Sequence, residues 1–231
     1  MAAAEQPNPP DPPAKDAKSG WRPGFVWLSA LLVLGFGAYA IWPRAAHLRD
    51  FDSDRVAQLE TRMWRSYYEQ RYAALLVDLY TLSREQYGFS PADSLAIGWY
   101  AARAARTFQP SRSREQAQAA LPLLERYFAV IRAHGGETFD ASEAARIELD
   151  WWQLRRENSV PADYGRVIAR VTTVVFRADN ADVVLAGRVR AEMMTYRDER
   201  REGRMQEADW AYIERELTRS YRALRTGIAT R

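Results

Sequence analysis

An all-α fold is what this 231-residue chain predicts, on three observations. Apolar residues recur at helical spacing in nearly every segment after residue 51, capping residues stand where those segments begin, and strand-like alternation is almost missing. The expected organisation is a Pro-rich tail over 1–22, a transmembrane helix over 23–43 and an all-helical soluble domain over 44–231. That domain reads as a bundle of about seven helices, with a short α-hairpin solenoid as the alternative.

The tail holds Pro7, Pro9, Pro10, Pro12 and Pro13 among Ala, Asp and Lys, a composition with almost nothing to bury, and it is expected to be disordered. From Phe25 to Trp42 there is no charge in eighteen residues. At 1.5 Å per residue that run spans about 27 Å, close to the hydrocarbon thickness of a bilayer. Trp21, Trp27, Tyr39 and Trp42 lie near its ends, where amphipathic rings favour the membrane interface. A cleaved signal peptide is the rival reading, with Ala38-Tyr39-Ala40 as its small-x-small site. The long leader and the continuation through Ile41 and Trp42 favour a retained anchor. Lys15, Lys18 and Arg22 balance Arg44, Arg49 and Arg55 across the run, so the positive-inside count is tied. The habit of signal anchors then gives a short cytoplasmic tail and a C-terminal domain outside the cytoplasm.

In the soluble domain, Asp52 and Ser53 cap a long helix reaching about Gln86, whose stretch Tyr72–Leu82 is apolar all round except Asp78 and Thr81 and is expected to be central. Ser90-Pro91-Ala92-Asp93 places a cap, a first-turn proline and an acid ahead of a helix reaching about Phe108. Ser113-x-x-Gln116 opens a third helix, carrying Pro122 inside and stopping at Gly135-Gly136. Asp140-x-x-Glu143 opens a fourth, ending near Asn158, and Pro161 a fifth with its apolar residues at i, i+3, i+4. The β-branched content of that fifth segment pulls towards strand. Asp179-x-x-Asp182 precedes a sixth, ended by Gly203, and a seventh covers about Gln206–Thr226.

Several charges fall on apolar faces. At 100° per residue, Glu148 and Arg155 lie mid-arc among Ala144, Ala145, Ile147, Leu149, Trp151 and Trp152, about 10 Å apart along one helix. Arg190 and Arg197 lie mid-arc among Val183, Ala186, Val189, Met193 and Met194. Asp209 and Glu216 sit just off the last helix's stripe, and Asp78 interrupts the most apolar stretch of the first. An unpaired buried charge costs several kcal/mol, so these groups need partners or a water-filled cleft. The economical arrangement sets Glu148, Glu216 and Asp78 against Arg155, Arg190 and Arg197, with Glu148 touching Arg190 or Arg197. Such a cluster is either a register-fixing ion network or a cavity where surplus Arg holds an anion.

Other chemistry is constrained. There is no Cys, so neither disulfides nor thiolate sites exist, and His47 and His134 are too few for a multi-histidine metal site. A di-iron bundle needs Glu-x-x-His motifs that the chain lacks, and no phosphate loop or nucleophile turn is present. Asp198-Glu199-x-x-Glu202 superficially matches acidic magnesium motifs, but interleaved arginines mark it as a solvated helix end. A net charge of +3 is too small to argue for nucleic acid. No catalytic residue, metal or cofactor is assigned. The expected function is a membrane-anchored, non-catalytic interaction or scaffold domain for a protein partner. The alternative is an enzyme or small-ligand-binding domain that holds an anionic ligand through the inward Glu/Arg cluster.

Overall fold

A computed structural model of the chain describes residues 23–42, 45–157, 160–200 and 205–229, and they are all-helical. The tail over 1–22, Trp21 within it, and Gly203 lie outside the described residues. The chain divides into two compact units, Met1–Tyr39 and Ala40–Arg231.

The first unit contains all but the last two residues of α1 (Pro23–Ile41), along which Trp27, Leu31, Leu32, Val33, Leu34, Phe36 and Tyr39 are exposed. Among the described residues no helix is long and apolar enough to cross a membrane. The uncharged run of the sequence begins with Phe25 and Val26, whose side chains lie outside the described set.

The second unit is a helical bundle in which packing order follows chain order. Its helices are α2 (Ser53–Tyr68), α3 (Tyr72–Thr81), α4 (Pro91–Phe108), the single turn α5 (Arg114–Ala117), α6 (Leu121–His134), α7 (Ala141–Arg156), α8 (Pro161–Phe176), α9 (Ala181–Glu199) and α10 (Glu207–Ala229). Leaving α5 aside, each helix packs on its neighbours in sequence, and α10 returns to pack on α2. The bundle is thus a closed ring of eight helices. α10 runs antiparallel to α2: Glu207 at its start meets Arg65 near the end of α2, and Arg222 near its end meets Asp54 at the start of α2. An even number of alternating helices closes with that polarity.

The caps formed where the sequence placed them. Asp52, Ser90 and Asp140 accept backbone N–H bonds in the first turns of α2, α4 and α7. At α9 the cap is Asn180, between the two acids expected to mark that start. The β-branched segment after Pro161 is helical because it buries Tyr164, Ile168, Ala169 and Val175 on one face.

Three expectations are corrected. The long first helix is broken at Gln70, whose φ of 58° turns the chain into α3; no Gly or Pro announces this break. Pro122 lies in the first turn of α6, not inside a helix, because proline lacks the N–H that an interior turn needs. α3 is not central: as one stave of the ring it buries only Leu75 and Asp78 and exposes Tyr72 and Val77.

Candidate functional site

Polar side chains reach across the ring interior from α2, α7, α9 and α10. Glu60 on α2 is the hub, only 2 % exposed, between Val56, Leu59 and Met63 on the inward face. Its Oε1 accepts from Arg190 Nε at 2.8 Å, Arg190 Nη2 at 2.5 Å and Trp64 Nε1 at 3.2 Å, and its Oε2 accepts from the Tyr221 hydroxyl of α10. The Glu60–Arg190 pair ties α2 to α9, and with Tyr221 on Oε2 both carboxylate oxygens are satisfied. Burial works against the Arg190 charge, but Glu60, with Tyr221 and Glu148 adding to it, outweighs burial and holds the guanidinium above its ordinary range.

Glu148 on α7 stands beside this pair without an ion-pair partner. Its Oε1 accepts from Trp152 Nε1 at 3.0 Å, one turn along its own helix. Burial pushes its carboxyl up from the usual range, and the field of Arg190 pulls it back only in part. The expected Glu148–Arg190 contact is therefore a through-space neighbourhood, and the direct partner is Glu60.

Arg155 and Arg197 form a second group. Arg155 donates to Asp198 Oδ2 from Nε (3.1 Å) and Nη2 (2.7 Å) and to the Tyr68 hydroxyl at 2.6 Å. Burial opposes the Arg155 charge, and Tyr68 and Asp198 outweigh it. Arg197 donates to Asp198 Oδ1 at 3.2 Å and lies 3.2 Å from the centroid of the Tyr68 ring. Asp198, read as part of a solvated helix end, is instead the carboxylate shared by two guanidinium groups.

Asp78 and Glu216 belong elsewhere. Asp78 is buried, with Arg62 Nη2 2.6 Å from its Oδ1 in poor hydrogen-bond alignment, and burial pushes its carboxyl up. Glu216 pairs with Arg219 on its own helix at the surface. The network drawn from sequence is thus four separate groups.

Between these side chains the ring is hollow. One lobe, of about 240 Å³, is lined by Trp64, Tyr67, Leu75, Ala105, Trp151 and Trp152 among others, and reaches Arg155. A second, of about 270 Å³, is lined by Phe51, Tyr87, Ile97, Phe128, Val171 and Leu224 among others, and contains Glu60 and Tyr221. Both lobes share Met63, Leu79, Tyr127, Glu148 and Arg190, which form a waist. Arg190 keeps 30 % of its side-chain surface although it spans the interior, because that surface faces the cavity. Burial pushes the hydroxyls of Tyr87, Tyr127 and Tyr221 above their ordinary value, so all three are neutral at physiological pH. The turn that follows α3, Leu82–Gln86, is π-helical and brings Leu82 and Ser83 to the second lobe.

Sequence reasoning missed Glu60, although it lies on the same arc as Val56, Leu59 and Met63 and was detectable by the test applied to Glu148. Tyr87, Tyr127 and Tyr221 gave no such signal, since aromatic residues on an apolar stripe read as core. His134 Nε2 lies 3.7 Å from Asp93 on the surface, and among the described residues no cluster has the makings of a metal site. No protein-family model, curated protein or solved structure matches the chain.

Proposed function

We propose that this chain is a membrane-tethered helical domain whose ring binds a small, mainly apolar ligand, without catalysis. The observation that carries the reading is the two-lobed interior cavity, apolar and aromatic along its walls and polar at its waist. Together the lobes fall within the roughly 300–1,000 Å³ of small-molecule pockets, which combine apolar walls with a few orienting polar groups. This takes up the alternative function expected from sequence, since a purely structural ion network has no need of empty space beside it. The test is binding of a neutral apolar fluorophore such as N-phenyl-1-naphthylamine to the full chain in nanodiscs. Enhancement should saturate above empty discs and be lost in Ala105→Phe, which fills the first lobe; equal signals from parent and variant would reject the reading.

The tether is supported by the uncharged run Phe25–Trp42, by the exposed large side chains of α1, and by Trp27, Tyr39 and Trp42 near its ends, each at least half exposed. On the habit of signal anchors, we propose that the C-terminal domain lies outside the cytoplasm. An alkaline phosphatase fusion at Arg231 is then active and a cytoplasmic reporter silent; the reverse rejects the orientation.

A scaffold role is the second reading. Tyr72 and Val77 on α3 and Leu95 and Trp99 on the adjacent α4 are exposed large apolar residues, the kind of surface that protein partners cover. Photo-crosslinkers at Val77 and Trp99 should give protein adducts in cells; adducts to lipid alone would reject this role.

A further inference from the structure

We infer that the waist of the cavity takes the carboxylate of an amphipathic ligand, with the ligand's apolar body in the tryptophan-lined lobe. This rests on the cavity being a binding site, and it assigns the chemistry of what is bound.

The argument begins with hydrogen-bond capacity. Glu60 has no room for a ligand: its two oxygens already accept four bonds. Arg190 spends Nε and Nη2 on Glu60, and Nη1 has no partner among the described residues. The hydroxyls of Tyr87 and Tyr127 have none either, and both side chains line the cavity, Tyr127 at the waist. Glu148 Oε1 accepts from Trp152, and the Trp151 indole N–H bears on the same carboxyl. Burial raises that carboxyl, and its neutral form adds an O–H donor. What the waist presents is a set of unused donors, and what donors require is an acceptor. A carboxylate matches them with two oxygens.

Charge allows the same reading. Two guanidinium groups, Arg155 and Arg190, line the cavity, and each is ion-paired with one carboxylate, Asp198 and Glu60 respectively. Arg190 Nη1 is still unspent, so a carboxylate head placed there meets a charged donor, in a setting where a buried ion is tolerated only when paired and hydrogen-bonded. A cationic head would have to rely on an ionised Glu148, a form that burial disfavours. The walls beyond the waist, with Trp64, Trp151, Leu75 and Ala105, suit a hydrocarbon or aromatic body.

The experiment compares three probes with one eight-carbon body: octanoate, octanol and octylamine. Each is titrated into the full chain in nanodiscs by calorimetry and by quenching of tryptophan fluorescence, against empty discs. Octanoate should bind at least tenfold tighter than either of the others. In the double variant Glu60→Gln/Arg190→Gln, which keeps a hydrogen-bonded but uncharged pair, that preference should collapse towards one while octanol binding persists. The persistence of octanol binding shows that the variant is folded. Equal binding of the three probes by the parent, or tightest binding of octylamine, overturns the carboxylate assignment and leaves the apolar cavity standing. An undiminished octanoate preference in the double variant overturns it as well. Failure of all three probes removes the binding site itself.

Discussion

At the scale of single residues, the decisive distinction is between a charge that faces an apolar arc and one that is enclosed. Glu148, Glu60 and Glu216 all lie near apolar stripes, yet their surroundings differ. Glu60 is enclosed and holds Arg190, Trp64 and Tyr221 at once. Glu60→Ala strands a buried guanidinium and is expected to cost about 3–5 kcal/mol. Glu216→Ala breaks a surface pair with Arg219 and should cost under about 1 kcal/mol. Urea unfolding of both variants measures this, and a Glu60→Ala loss no larger than that of Glu216→Ala would refute the hub. Glu148 behaves differently because its carboxyl is raised above its ordinary 4.5. Between that ordinary value and the raised one, the folded chain holds a proton that the unfolded chain has released. Stability therefore falls as pH rises through the window. Glu148→Gln keeps the acceptor for Trp152 and removes the titration. The variant should gain on the parent as pH rises from 4 to 8, and the gain should vanish below the unfolded value. A parent–variant difference independent of pH would show that Glu148 is not desolvated.

At the scale of helices, what was legible in the sequence depended on whether the signal was local. Caps are local chemistry, and Asp52, Ser90 and Asp140 each act as their residue type and spacing suggest. The break at Gln70 was not legible, because a left-handed residue without Gly or Asn is held by the contacts of α2 and α3 on either side. The inward charges were legible as charges on the wrong face, but their partners depend on which helices cross the ring. Helix order alone could not pair Glu60 with Arg190 across 130 residues. Close approach is similarly hidden. α8 and α9 meet at Gly165 and Gly187, and a Cβ on Gly187 would stand 2.4 Å from the Gly165 carbonyl oxygen and 2.9 Å from Ala169 N. Both of these are backbone atoms, so nothing there rotates aside. Gly187→Ala should push the helices apart and cost about 1–3 kcal/mol, despite alanine's better helix propensity. A melting temperature equal to that of the parent would mean that the crossing is looser than these distances imply.

At the scale of the whole second unit, closure is what separates this bundle from a helical stack. In an open solenoid each helix depends on its chain neighbours, and the two terminal helices do not touch. Here α10 lies against α2, joined by Arg65–Glu207 and Arg222–Asp54 outside and by Tyr221–Glu60 within. The far end of α10 is tied in again: Asn180 Nδ2 donates to Gly227 O at 2.8 Å, and Arg49 donates to Ile228 O and Phe176 O. Leu217 and Ile213 are fully buried in the seam with Ala57 and Met193. Ending the chain after Gln206 removes this seam. In a stack, only α9 would lose protection against hydrogen exchange. In the ring, α2 must lose it too, although it lies some 150 residues away in sequence. α6, which contacts neither, should change least. Peptide-resolved exchange on the full and shortened chains in nanodiscs checks the pattern. Protection retained in α2 would show that α10 rests on the ring without closing it, and that the cavity's walls stand without their last helix.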